Sequence, residues 1–165
     1  MRVNISDIAK THGASLEITF NEKMPDLNSF VEGYIFECPV TFQGRVENFS
    51  GILKLKGRLK TCYSAKCFRC LGDIEASLDI DVQEDFVEAG EQKNDESYTF
   101  EGNFIELDKA FTDNILLSLP MRQLCAPDCK GYCPQCGCNR NEKSCECREE
   151  TINPQMEVLK NFFNN

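Results

Sequence analysis

The residues of this chain best suited to chemistry are its cysteines. Eleven occur in 165 residues, and seven of them fall in the stretch CAPDCKGYCPQCGCNRNEKSCEC, residues 125–147. Four close pairs stand out: Cys67/Cys70, Cys125/Cys129, Cys133/Cys136 and Cys145/Cys147. A gap of two residues lets both thiolates of one turn reach a single tetrahedral ion, with Zn–S distances of about 2.3 Å. In CPQCG, Pro134 stiffens the turn and Gly137 allows the backbone conformation that must follow the second ligand. Repeated knuckles of this kind point to zinc, with iron as the chief rival because tetrahedral sulfur sites also suit it. Four pairs make two complete sites. The spacing predicts one from Cys67, Cys70, Cys125 and Cys129, and a second from Cys133, Cys136, Cys145 and Cys147. A single ion held by Cys125, Cys129, Cys133 and Cys136 is the alternative grouping. Cys138 lies close enough to exchange with a neighbour, whereas Cys38 and Cys62 read as unliganded strand or core thiols.

A site saturated by four thiolates leaves no open position for water, so such ions are structural. His12 is the only histidine and sits in a Thr-His-Gly turn. Triads, histidine general bases and most catalytic zinc sites lean on that residue type. No phosphate-cradling glycine loop or dinucleotide fingerprint is present. The expectation is a non-enzyme. A thiol redox sensor is the minor rival: CFRC and CPQC have the bare C-x-x-C spacing, but neither opens a helix after a strand, where the thiol pKa is lowered.

The N-terminus lacks the apolar core of a signal peptide, and no stretch approaches the ~18 apolar residues of a membrane span. The reading is a cytoplasmic protein with its thiols kept reduced. The net charge of −9 opposes indiscriminate binding to nucleic acid, but it conceals a dipolar sequence. Six basic residues and no acidic one occupy Gly51 to Leu71, while Asp73 to Glu101 carries 11 acidic residues and one lysine. Lys66, Phe68 and Arg69 at the first knuckle, with Arg140 and Lys143 near the second, are the RNA-binding candidates: cations for phosphates and a ring for a base.

The elements that must position these groups are mostly strands. Ala14 to Phe20, Val31 to Phe36 and Val40 to Phe49 alternate or are strand-like, with a break at Cys38-Pro39. Ile52 to Thr61 and Ile74 to Val82 alternate apolar with basic and apolar with acidic residues. Paired as an antiparallel hairpin, Lys60 can face Glu75, Lys56 Asp79 and Lys54 Asp81, while Leu55 meets Ile80 on the core side. Such a ladder neutralises Lys54, Lys56 and Lys60 internally, leaving Lys66 and Arg69 beyond it. Glu88 to Ser97 reads as an exposed loop. Asp108 to Leu119 reads as a helix N-capped by Asp108 and stopped by Pro120, with Leu107, Phe111, Ile115 and Leu119 spaced by four. In NPQMEVLKNFF, Asn153 as N-cap, Pro154 at the first helical position and an apolar stripe predict a last helix docked on the domain's own core.

At CFRCL (67–71), ILLSLP (115–120), the cysteine-rich stretch at 125–147 and the closing NPQMEVLKNF, the chain resembles the YceD-like family, the bacterial and plastid large-subunit ribosomal RNA accumulation proteins. Tyr132 and Arg140 stand where that family usually has leucine, and Cys138 is an extra thiol. The resemblance implies a β-rich domain with the C-x-R-C knuckle and a non-enzymatic role in accumulation of 23S ribosomal RNA and assembly of the large subunit. The expected architecture is α+β and β-rich, an antiparallel sheet or partly open barrel. Its parts are a β-rich domain over 1–120, a zinc-knuckle segment over 121–150 and a helix over 151–165. The expected cofactor is structural zinc, one or two ions. The expected partner is ribosomal RNA or a large-subunit ribosomal protein, with no membrane and no small-molecule substrate. The rival reading is a protein-only adaptor whose acidic surface chaperones a basic ribosomal protein.

Overall fold

The computed structural model describes residues 1–90 and 97–147, so the last helix and most of the acidic loop expected from the sequence lie outside the described residues. In chain order the elements are β1 (Arg2–Asn4), β2 (Ser15–Glu22), α1 (Leu27–Phe30), β3 (Tyr34–Ile35), β4 (Val40–Phe49), β5 (Ile52–Lys66), β6 (Asp73–Glu88), β7 (Tyr98–Phe100), β8 (Phe104–Glu106) and α2 (Asp108–Ser118). One sheet runs β2-β4-β5-β6-β7, with β3 also paired to β5; β1 and β8 form a separate ribbon. The pairings are antiparallel except β6 with β7.

Local chemistry explains the layout. β4 and β5 are joined by Ser50-Gly51, both with positive φ (56° and 90°), the two-residue turn whose twist matches that of its strands. His12 serves this turn: its Nδ1 accepts the Ser50 amide at 3.0 Å, and its ring meets the edge of Phe49. β5 is long enough to take two partners along one side. Its first half pairs with β4 and its second with the short β3, and Cys38-Pro39 forms the break between them. The strand expected over Val31 to Phe36 is thus reduced to two residues.

Cys38 and Cys62 span that break as a disulfide, with Cα atoms 5.5 Å apart. This corrects the reading of both as free thiols. Placing β3 and β4 end to end along β5 brings together two residues 24 positions apart in sequence.

The β5–β6 hairpin forms in the expected sense with the expected faces, but in another register. Lys60 lies opposite Asp79 rather than Glu75, Lys56 opposite Gln83, Lys54 opposite Asp85, and Leu55 opposite Glu84, while Leu59 takes Ile80. The shift is four residues, an even number, so every side chain keeps its face. Its cause is the knuckle. Both strands run up to it, ending at Lys66 opposite Asp73, and the six residues between them fix the pairing. Ion pairs follow at Lys54–Asp85 (3.2 Å), Arg58–Asp81 (3.1 Å), Lys60–Asp79 (3.1 Å) and Lys66–Asp73 (2.5 Å). Lys66 therefore belongs to the ladder and not to the loop beyond it.

The inner face carries the core. Phe42, Leu53, Leu55, Leu59, Val82 and Phe86 are essentially inaccessible and share one core with Phe111 and Ile115 of α2. Leu107, Phe111 and Ile115 are all fully buried, as their spacing implies. Asp108 is the first helical residue, not the cap; Leu107 holds the cap position, and the Asp108 carboxylate instead takes the N-terminal amine of Met1. Gly44 and Gly57 lie opposite each other on the inner face under the Phe42 ring. A Cβ on Gly57 would stand 2.5 Å from both the Gln43 carbonyl and Phe42 Cζ. Gly57→Val is therefore expected to lower unfolding free energy by at least ~1–3 kcal/mol through overpacking, read as a fall in the denaturant midpoint.

Candidate metal centres

The six-residue turn joining β5 to β6 carries the first pair. The Cys67 amide donates to the Gly72 carbonyl at 2.8 Å and the Leu71 amide to the Cys67 carbonyl at 2.9 Å. Leu71 sits at φ 53°, in the left-handed region. Gly137 holds the equivalent place after Cys136, with φ 70° and its amide on the Cys133 carbonyl at 2.9 Å. The two knuckles share one backbone solution, which glycine adopts without strain and leucine does not.

After α2 ends, the chain returns to the first knuckle and is pinned there. Phe68 donates its amide to the Gln123 carbonyl (2.8 Å), Tyr63 its hydroxyl to Gln123 Oε1 (3.1 Å), and Tyr132 its amide to the Arg69 carbonyl (3.0 Å). This brings Cys125 and Cys129 onto Cys67 and Cys70. Cys67 Sγ lies 3.8 Å from Cys129 Sγ, and Cys70 Sγ 3.6 Å from Cys125 Sγ. A tetrahedron with metal–sulfur bonds of about 2.3 Å has edges of about 3.8 Å, so these thiols are set at the spacing a zinc-type tetrathiolate needs. All four sulfurs lie within 4.8 Å of one another, and the same holds for Cys133, Cys136, Cys145 and Cys147. Two clusters that could hold metal ions are thus present, with the membership expected from the spacing. The alternative quartet is divided between them: Cys125 and Cys129 belong to the first, Cys133 and Cys136 to the second.

The centres differ in enclosure. In the first, Cys67, Cys70 and Cys129 are buried and form a small apolar cluster with Ile74 and Leu124. In the second only Cys133 is buried; Cys136 is exposed, and Cys145 and Cys147 are half-buried. Each centre holds two thiols brought below the usual cysteine range. Burial pushes Cys67 up, but the backbone amides of Cys70, Cys125 and Arg69 outweigh it and bring the thiol down to about 6. The amides of Cys136 and Gln135 bring Cys133 to about 6 as well. Burial raises Cys129 as well, but hydrogen bonds, the one from Asn141 foremost, outweigh it, and the backbone amide of Cys138 lowers Cys136. By contrast, hydrogen bonds to Cys129 and Cys70 push Cys125 up to about 12, and one to Cys136 does the same for Cys147. Four clustered anions repel one another, and a divalent cation is the group that relieves this.

Sequence reasoning missed the polar groups around the sulfurs. Asn141 Nδ2 donates to Cys129 Sγ at 3.4 Å and its Oδ1 accepts the Lys130 amide, so a residue between the second centre's pairs also touches a sulfur of the first. Nothing in the turn NRNEKS marks Asn141 beforehand. Two RNA-binding candidates acquire partners here. Arg69 Nη1 donates to the Cys129 carbonyl at 2.8 Å, and Arg140 Nη2 lies 3.8 Å from Cys133 Sγ. Phe68 remains 66% exposed, with the Arg122 guanidinium 5.5 Å from its ring centre, and Lys143 is exposed. Gly131, at φ 72°, lets the chain pass Arg69; a Cβ there would stand 2.9 Å from the Arg69 carbonyl.

A family model described as large ribosomal RNA subunit accumulation protein YceD matches residues 55–163, a span that holds both clusters. Uncharacterized proteins of Mycobacterium bovis and Mycobacterium tuberculosis are 26% identical over 147 residues, covering 83% of this chain and 69% of theirs. One from Mycobacterium leprae is 23% identical over 106 residues, 61% of this chain and 48% of that protein. No solved structure matches. Among the described residues no helix is long and apolar enough to cross a membrane.

Proposed function

This chain belongs to the YceD family, and on that premise we propose that it is a non-enzymatic zinc-binding factor. It supports accumulation of 23S ribosomal RNA and assembly of the large ribosomal subunit in the cytoplasm. The observation that carries the metal part is the pair of four-thiol clusters, each with its sulfurs mutually within 4.8 Å. Thiolates alone select soft or borderline ions, and a closed four-sulfur set gives an ion a structural task. The first ion fastens residues 121–147 to the tip of the β5–β6 hairpin; the second closes the segment that follows. Phe68, with Arg122 over its ring, and the exposed Lys130 and Lys143 belong to the segments these ions would hold, and they are the groups proposed to meet RNA, cations on phosphates and the ring on a base.

Ultraviolet crosslinking followed by sequencing of the bound RNA tests the partner. The expected result is recovery of 23S ribosomal RNA, reduced severalfold by Arg122→Glu, Lys130→Glu and Lys143→Glu together with unchanged zinc content. Arg69 and Arg140 are left alone because their guanidinium groups serve the centres. One observation favours a second reading, an adaptor for a basic ribosomal protein: Lys54, Arg58, Lys60 and Lys66 are all engaged by aspartates, leaving an acidic surface. Recovery of a ribosomal protein without ribosomal RNA would select it.

The enclosure of the two centres predicts an order of acid release. Metal displaces protons from the thiols, so lower pH returns those protons and weakens binding. Acidification from pH 7 toward 5 in the presence of a chromophoric chelator is expected to release one zinc before the other. The early ion comes from the half-exposed quartet, identified by which cysteines then alkylate.

A further inference from the structure

Lys130, Gly131 and Tyr132 are all that separates Cys129 of the first quartet from Cys133 of the second. Each of the three is bonded to the loop that joins the second quartet's pairs. The Lys130 amide donates to Asn141 Oδ1 at 2.8 Å, the Arg140 amide donates to the Gly131 carbonyl at 2.9 Å, and Tyr132 forms an antiparallel bridge with Asn139. The turn carrying Asn141 is closed on itself. The Glu142 and Lys143 amides donate to the Asn139 carbonyl at 3.1 and 3.0 Å, and the Asn141 amide donates to Asn139 Oδ1 at 3.1 Å. With its oxygen taken by Lys130, Asn141 places Nδ2 3.4 Å from Cys129 Sγ. A side chain from within one quartet thus donates to a sulfur of the other.

We propose that Asn141 couples the two centres, so that each ion is held more tightly when the other is present. This rests on the metal reading of both quartets. An ion in the second quartet closes the loop over 137–144 at both ends, and the closed loop holds Asn141 on Cys129. Without that ion, placing the side chain costs the conformational entropy of the loop, and the contact is no longer prepaid. An N–H donated to a ligating sulfur stabilises the charge it keeps, and groups behind the ligands set metal affinity in this way. Asn141 is therefore a positioning residue and not a ligand. Coupling of two binding equilibria is reciprocal, so the first ion strengthens the second by the same factor. Loss of the less enclosed ion then loosens the buried one, and with it the anchorage of residues 121–147 to the β5–β6 knuckle.

Chelator competition on the full zinc-loaded chain tests this. The first centre is followed by the chelator concentration at which Cys67 becomes open to a brief pulse of alkylating reagent. Cys133→Ser with Cys145→Ser removes the second centre and is expected to lower that midpoint about tenfold, the lower end of what a lost group behind a ligand costs. Asn141→Ala in the otherwise unmodified chain is expected to lower it by a similar factor while two zinc ions are still bound before chelator is added. Asn141→Ala combined with Cys133→Ser and Cys145→Ser is expected to add nothing, because the side chain is then no longer placed. Equal midpoints with and without the second centre would overturn coupling and leave the metal reading standing. So would an Asn141→Ala effect that adds in full to removal of the second centre. A fall to one zinc in Asn141→Ala would overturn the assignment too, by making the residue a part of the second loop's own folding. Cys67 open to alkylation in the unmodified, zinc-supplied chain would overturn both coupling and the metal reading.

Discussion

Cys129→Ser is expected to release one of two zinc ions per chain and to free residues 121–147 from the sheet while the β-domain stays folded. Cys129 is 3% exposed, and its sulfur meets Cys67 Sγ and accepts from Asn141, so serine leaves a buried, poorly matched hydroxyl where a thiolate is needed. Structural zinc sites of this kind contribute on the order of 10 kcal/mol of folding free energy in small metal-dependent domains. Here the loss falls on a segment rather than on the whole fold, because the main apolar cluster is separate from the cluster of Cys67, Cys70 and Cys129. The contacts that pin the segment back, from Gln123 to Phe68 and Tyr63 and from Tyr132 to Arg69, number too few to hold it alone. Limited proteolysis with metal analysis checks this. Cleavage within 121–147 with an intact β-domain, together with one zinc per chain, is the expected pattern; retention of two zincs would contradict it.

Phe111→Ala is expected to cost about 3–5 kcal/mol and to act on the whole domain. Phe111 is fully buried on α2, with ring centres 4.8 Å from Phe42 and 6.5 Å from Phe20. Those partners come from neighbouring strands, so one ring ties the helix to the sheet at β2 and β4. Its removal also strips cover from Phe42, which lies over the Gly44–Gly57 pair and has no Cβ beneath it. Urea denaturation followed by far-UV circular dichroism measures the loss. A change under 1 kcal/mol would mean the site collapses around the gap. Zinc content should stay at two under native conditions, which separates this variant from Cys129→Ser.

The quartets were legible in the sequence because metal-ligand spacing is a local signal: C-x-x-C turns and a polar, turn-rich connection to CEC leave few ways to close a tetrahedron. Strand faces were legible for the same reason, since alternation fixes which side is buried. Register was not. Charge pairing admits several even offsets along Lys54 to Lys66 and Asp73 to Asp85, and only the length of the knuckle turn selects one. The Cys38–Cys62 bridge was hidden because it depends on β3 and β4 lying end to end along β5. Arg69 and Arg140 looked like surface cations because nothing local reveals a carbonyl or sulfur arriving from a distant stretch. Cys138 is the odd thiol of the sequence, and the fold ties its carbonyl to the Cys133 amide while leaving it outside both quartets.

The central claim is that two thiolate quartets each hold a zinc ion. Native mass spectrometry of the full chain, purified without added metal and compared before and after denaturation, measures this directly. The account predicts a mass excess of two zinc ions per chain, lost on denaturation with chelator together with exposure of the quartet thiols. A folded chain that carries no metal, with all eight of these thiols open to alkylation, would contradict it.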